Sequence, residues 1–267
     1  MPRVLSAFSR GKFGDPGRNE DAVVSTGDFF AVVDGATAKT PVGQEKSPGR
    51  RAAESVVSTI ATMPAGIGAH DAIGMMSEAL ARLPDSTATD EPPSASVAVY
   101  SVHRNEAWVV GDVWVSWDGR AVRFGHEVER RGAAARAALL HAALEHSSVE
   151  ELRVDDPGRA MILPLLKAEH LLTNIDRDDP LVFGRLDGRP VPDRLVHVLT
   201  LPEEWDRLVL ASDGYPALGG DLDQTEALLA RRLREDPLMI DEPPATKGVR
   251  PGQESFDDRT WLEIARS

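Results

Sequence analysis

Two runs in this sequence follow one pattern: FFAVVDG at 29–35 and RLVLASDG at 207–214 are apolar stretches that run into Asp and then Gly. Such a stretch reads as a buried strand, and its end delivers a carboxylate where the chain leaves the core. Asp34 and Asp213 are therefore fixed on rigid strand ends. AWVVGD brings Asp112 in a comparable setting within a strand, and SFDDRTWLEI places Asp257 and Asp258 just before a last strand. Carboxylates that converge at strand ends repel one another unless a cation neutralises them. Oxygen ligands without cysteine and without a His-rich spacing suit Mg²⁺ or Mn²⁺ rather than zinc. Each Asp-Gly pair taken alone is also an ordinary turn, so the weight lies in their joint occurrence.

The rest of the chain has the rhythm of an α+β protein. AVVST and FFAVVD form a hairpin around Gly27-Asp28, and two amphipathic helices follow at about 49–63 and 70–83. TATDEPPSA at 87–95 is a loop. SVAVYSV pairs with AWVVGDVWVSW, and WDGRAVRF continues through an Asp-Gly turn. A helical insertion is expected at 133–172, with a break at 155–158 and a kink or division at Pro164. LVFGRLDG, RLVHVLTL, RLVLASDG and TWLEIA read as strands, and LDQTEALLARRLRE as a helix. Adjacent hairpins and grouped helices favour mainly antiparallel sheets within a single domain spanning 1–267.

Composition removes several chemistries. No cysteine is present, which excludes a thiolate nucleophile and zinc–thiolate sites. A net charge of −13 opposes binding to a nucleic-acid backbone. Neither a signal-peptide core nor a membrane-length apolar run is found, so a cytoplasmic protein with no membrane partner is expected. The seven His show no HExxH spacing; His141 and His146 read as surface groups of an Ala-rich helix, and no metal or triad role is assigned to any of them. DLDQT at 221–225 has the Asp-x-Asp-x-Thr form of the haloacid-dehalogenase enzymes but lacks an apolar strand immediately before it, so Asp221 or Asp223 reads as a helix N-cap. Trp108, Trp114 and Trp117 read as core.

In chain order, RNEDAVV at 18–24, FFAVVDG, AWVVGD, LVLASDG and FDDRT at 256–260 resemble the motifs of the metal-dependent type 2C (PPM) serine/threonine protein phosphatases. The resemblance spans almost the whole chain. It implies a four-layer αββα sandwich of two mainly antiparallel sheets flanked by helix pairs, with Mg²⁺ or Mn²⁺, two ions and room for a third, in a cleft at one edge. Asp34 would bridge two ions, the Gly35 carbonyl would hold one, and Asp213 and Asp257 the other. Glu20 would act through a water, and Asp112 with Asp213 would take the third ion. The activity implied is phosphomonoester hydrolysis, on phosphoserine or phosphothreonine in a protein. A small phosphorylated metabolite, or a pseudophosphatase that only binds, are the alternatives.

This chain departs from the pattern at several places. DGATAKT lacks the Gly pair and the His or Met that usually follow the first Asp-Gly, leaving water or Lys39 for proton donation. Pro16 stands where the phosphate-binding Arg is usual. Arg18 and Lys39 are then the candidates for phosphate, with Arg50 and Arg51 as competitors. GDVW replaces GDSR, and Asp257-Asp258 replaces Asp-Asn. The Pro- and Gly-rich stretch 241–255 reads as a mobile lid that brings Lys247 or Arg250 to the phosphate.

Overall fold

The computed structural model describes residues 2–39, 46–84 and 92–266. Among the described residues, ten strands form two five-stranded sheets whose pairings are all antiparallel. One sheet has the order β2 (Ala22–Ser25), β3 (Phe29–Gly35), β4 (Ala95–Ser101), β5 (Glu106–Val110) and β8 (His197–Thr200). The other has the order β1 (Arg3–Arg10), β10 (Arg259–Ala265), β9 (Arg207–Ala211), β6 (Trp114–Trp117) and β7 (Arg120–Arg123).

Strand periodicity explains why both sheets are apolar on two sides. In β3, Phe30 and Val32 face the layer between the sheets, where they meet Ala98, Val109, Val115, Leu208, Leu210, Leu262 and Ile264. Phe29, Ala31 and Val33 face the other way, onto the helices α1 (Pro48–Ile60) and α2 (Ala69–Ala81) through Ala52, Val56, Ile73 and Met76. The outer face of the second sheet, with Val209, Ala211 and Trp261, is covered by Leu229 of α6 (Leu222–Glu235) and by Met239, Val249 and Phe256 of the following segment. One flank is thus a helix pair, and the other a single helix with an irregular strap.

Three further helices lie between β7 and β8: α3 (Glu127–Ala143), α4 (Val149–Val154) and α5 (Pro157–Ala168). The break expected at 155–158 is there, with Asp156 accepting from Arg159 N–H at 2.6 Å as N-cap of α5. Pro164 does not divide α5; Ile162 and Leu166 keep that helix packed, so one lost backbone bond is tolerated. Arg136 of α3, fully buried, donates to Asp156 at 2.8 Å and to the carbonyls of Leu238 and Ala245 at 2.8 and 3.0 Å. It ties the helical segment to the strap.

Two expectations are corrected, and one strand goes beyond them. RVLSAFSR is strand β1, hard to read because its side chains are mostly exposed. LVFGRLDG makes only isolated bridges, Thr173 with Phe183 and Leu186 with Ala95 at the start of β4, and forms no ladder of its own. AWVVGDVWVSW is two strands: Gly111 takes φ +90° and breaks the run, so β5 and β6 enter different sheets. A Cβ on Gly111 would lie 2.2 Å from Ser96 Oγ, which leaves glycine as the residue that permits the crossover. Much of the 87–95 loop lies outside the described residues. Among the described residues, no helix is long and apolar enough to cross a membrane.

Candidate metal centre

The ends of β3, β9 and the β5–β6 crossover, together with the approach to β10, meet at one edge of the sandwich. Asp34, Gly35, Asp112, Asp213 and Asp257 line one cavity there, together with Lys39, Arg185 and Lys247. Gly35 has no alternative at its position: a Cβ would sit 2.4 Å from the carbonyl oxygens of Glu20 and Gly49. That close approach brings the N-terminus of α1, capped by Ser47 with Pro48 in its first turn, beside Asp34.

Burial, then Asp21, Asp213 and Asp112, push the Asp34 carboxyl well above the usual carboxylate range. Burial, then Asp112 and Asp257, raise Asp213 to about 7 in spite of Arg123 and Lys247. Asp21 is more exposed to the same conflict: neither of its buried oxygens accepts a hydrogen bond in normal geometry. Burial and Asp258 raise it to about 8, while the nearby Ser212 and Thr260 hydroxyls offset this only in part. Orphaned, mutually repelling carboxylates are what a bound divalent cation relieves, so Asp34, Asp21, Asp213 and the Gly35 carbonyl fit such an ion.

Other acids in the cluster already have cations. Lys12, 6% exposed, places Nζ 3.1 Å from Glu20, 3.4 Å from Asp257 and 3.2 Å from Asp258. Burial opposes its charge, but Asp257, Asp258 and Glu20 outweigh burial and raise its pKa. Glu20 also accepts from Thr37 Oγ1 at 2.5 Å, so it is turned to Lys12 and Thr37. Lys247 reaches Asp257 Oδ2 at 2.6 Å. Burial raises Asp257, yet Lys247 and Lys12 bring it down to about 2. Arg123 Nη2 lies 3.5 Å from Asp112 and 3.3 Å from Asp213, so its guanidinium spans the pair expected to share a third ion.

Of the residues considered for phosphate, Lys39 lines the cavity. Arg18 is exposed and lies over the Phe13 ring, 3.4 Å from its centroid. Arg50 donates to Glu54 and the Pro16 carbonyl, and Arg51 to the Pro84 carbonyl. On the strap, Lys247 arrives at the site, whereas Arg250 is exposed and lines none of these walls. Asp221 is the N-cap of α6, accepting from Gln224 N–H at 2.8 Å, and Trp108 is core, as read from the sequence.

Sequence reasoning missed Lys12, Asp21, Arg123, His126 and Glu129. Asp21 was within reach, being the second acid of the Glu-Asp pair. His126 contradicts the reading that no histidine has a place here, because its buried ring lies beside Asp112 and Glu129. The H-x-x-E spacing at the start of α3, which puts both side chains on one face, was the available signal.

Metal binding at the Asp34 cluster must displace protons from Asp213 and Asp21. A group raised to about 7 or 8 is largely protonated at pH 6, so a cation competes with its proton there and much less at pH 8. Apparent Mn²⁺ affinity therefore rises about tenfold or more from pH 6 to pH 8. Calorimetric titrations in two buffers of different ionisation enthalpy measure both the affinity and the protons released. A pH-independent affinity with no proton release would contradict the assignment.

No protein-family model matches the sequence, and no curated protein matches it. Solved structures do match. The serine/threonine phosphatase PstP/Ppp of Mycobacterium tuberculosis is 18% identical with a TM-score of 0.50, over 99% of this chain and 98% of that one. The catalytic domain of the serine/threonine protein phosphatase PstP, in complex with two manganese ions, gives 16% and 0.50 over 99% and 97%. A bacterial serine phosphatase gives 14% and 0.50 over 99% and 98%. Two antiparallel sheets with an acidic cluster where their strands end, matched over nearly the full length of both chains, give this protein the fold of the PPM-type serine/threonine phosphatases.

Proposed function

We propose that this chain is a Mg²⁺- or Mn²⁺-dependent phosphomonoester hydrolase acting on phosphoserine and phosphothreonine in proteins. The observation that carries the reading is one cavity with two opposed linings. Asp34, Asp112, Asp213 and Asp257 supply anionic oxygen for cations, and Lys39, Arg185 and Lys247 supply positive charge for a phosphate. Asp34, the Gly35 carbonyl, Asp213 and Asp257 would hold the ions, with Asp21 beside them. When bound, the ions acidify a water for in-line attack on phosphorus and screen the phosphate oxygens.

The protein's own groups do the rest. Strand ends and the Gly35–Gly49 contact hold the carboxylates rigidly, which keeps reorganisation small during the reaction. Lys247, on the strap, exchanges its ion pair with Asp257 for the incoming phosphate, so that substrate binding frees a ligand oxygen as it screens charge. Beside the centre, a cavity of about 400 Å³ is walled by Arg123, Met239, Pro243 and Pro244, with room for the side chain that carries the phosphate. With no cysteine in the chain and the acids committed to cations, direct attack by water agrees with the residues present.

The test is an initial-rate comparison with Mn²⁺, Mg²⁺ and chelator on phosphoserine and phosphothreonine peptides and on small sugar phosphates. Metal-dependent release of phosphate from the peptides at the higher kcat/KM is expected. Faster turnover of the sugar phosphates would replace the protein substrate with a metabolite. No turnover of any ester would leave a phosphate-recognising module.

A further inference from the structure

We propose that Asp112, His126 and Glu129 form a distinct site for a transition-metal ion of the Zn²⁺ class, next to the Asp34 cluster, whose cavity wall includes Asp112 and Glu129 but not His126. One ligand atom from each of the three lies within 4.8 Å of the others. The His126 side chain is 1% exposed; its Nδ1 lies 3.6 Å from Glu129 Oε1, beyond hydrogen-bond distance, and neither ring nitrogen makes a hydrogen bond. A buried imidazole without a hydrogen bond is costly, and a cation held between it and the two carboxylates relieves that cost. An imidazole nitrogen with two carboxylates selects a borderline ion over Mg²⁺ or Ca²⁺.

The surroundings are built for rigid ligation. The ring of His126 stacks on Phe183 with centroids 4.0 Å apart. Ser96 Oγ donates to Asp112 Oδ1 at 3.0 Å and fixes that carboxylate. His126 is the N-cap residue of α3 and Glu129 follows in its first turn, so one helix end presents two ligands to the sheet crossover that carries Asp112. Arg185 lies 3.4 Å from Glu129 Oε1, and Arg123 lies 3.5 Å from Asp112 Oδ2. Arg123 also blocks the Asp112–Asp213 gap, which directs any ion on Asp112 toward His126. The three residues line the larger neighbouring cavity too, which leaves a coordination position open to water.

The inference does not depend on the phosphatase reading. Zn²⁺ binding is measured by calorimetry and by metal content after gel filtration, for the full chain and for His126→Gln, Glu129→Gln and Asp34→Asn. Co²⁺ is the spectroscopic probe, its imidazole ligand giving hyperfine-shifted ring-proton resonances. The expected result is one Zn²⁺ retained by the unaltered protein and by Asp34→Asn. His126→Gln and Glu129→Gln weaken it about 100-fold or more, and the shifted resonances disappear in His126→Gln. Zn²⁺ affinity unchanged in both His126→Gln and Glu129→Gln would overturn the site. So would zinc lost in Asp34→Asn alone, since that ion would belong to the Asp34 cluster.

Discussion

Asp34→Asn lowers Mn²⁺-dependent turnover of p-nitrophenyl phosphate by at least about 10²–10³-fold and at the same time raises the melting temperature of the metal-free protein. The two effects have one cause. Asp34 is held among Asp21, Asp213 and Asp112 with its carboxyl well above the usual range, burial contributing most. The neutral amide keeps the shape, removes the central negative charge on which ions depend, and relieves repulsion in their absence. A raised carboxyl binds its proton more tightly in the folded chain than in the unfolded one. Its stabilising effect is complete below the ordinary value of 3.8 and is lost as pH climbs toward the raised value, about 7 for Asp213 and about 8 for Asp21. The stability gain from Asp34→Asn is therefore largest near pH 8, about 2 kcal/mol or about 5 °C in a chain of this size, and shrinks toward pH 4. Saturating Mn²⁺ reverses the order, because only the unaltered protein binds it strongly. Differential scanning calorimetry at pH 5 and pH 8, with Mn²⁺ and with chelator, checks the stability effects. An unchanged kcat/KM in Asp34→Asn would remove Asp34 from the chemistry.

What could be read from the sequence followed from periodicity and from strand ends. FFAVVDG and RLVLASDG announced buried strands because residues on both faces are apolar, and β3 does divide its side chains between two cores. The helices read at 49–63 and 70–83 lie at 48–60 and 69–81 for the same reason, their apolar faces meeting one sheet. Asp34, Asp112, Asp213 and Asp257 came together because each stands where an apolar segment leaves or enters the core. The counter-cations were mostly invisible for the opposite reason. Lys12 and Arg123 come from an N-terminal loop and a short exposed strand, and no local pattern tells a solvated cation from one aimed inward; Lys247 was read as a strap residue reaching for phosphate, but its pairing with Asp257 was not. The break at Gly111 was not read from the sequence, since the clash that requires glycine comes from Ser96 on the neighbouring strand. Tertiary contacts of this kind carry the departures from expectation at this site.

Lys12→Met destabilises the metal-free protein by about 3–5 kcal/mol, a fall in melting temperature on the order of 10 °C. The Lys12 ammonium is held by four side-chain contacts, with Glu20, Thr37, Asp257 and Asp258, and its own backbone N–H donates to Asp258 at 2.7 Å. Methionine fills nearly the same space, so packing is preserved while three carboxylates lose their shared counter-ion. Asp258 keeps the backbone N–H groups of Lys12 and Glu20, at 2.7 and 3.0 Å, and Asp257 keeps Lys247. Glu20 keeps only the Thr37 hydroxyl among its side-chain partners here, so the imbalance is greatest at Glu20. A divalent ion can then enter between Glu20, Asp257 and Asp258. Mn²⁺ should therefore raise the melting temperature of Lys12→Met by more than it raises that of the unaltered protein, and the variant should bind more Mn²⁺ per chain. In this fold the ammonium acts as a fixed cation that limits how many exchangeable ions the cluster needs. Melting curves and Mn²⁺ stoichiometry by equilibrium dialysis decide the matter. Equal melting temperatures for the two metal-free proteins would show that Glu20 and Asp258 are already neutralised by other means, and the fixed-cation account of Lys12 would fail.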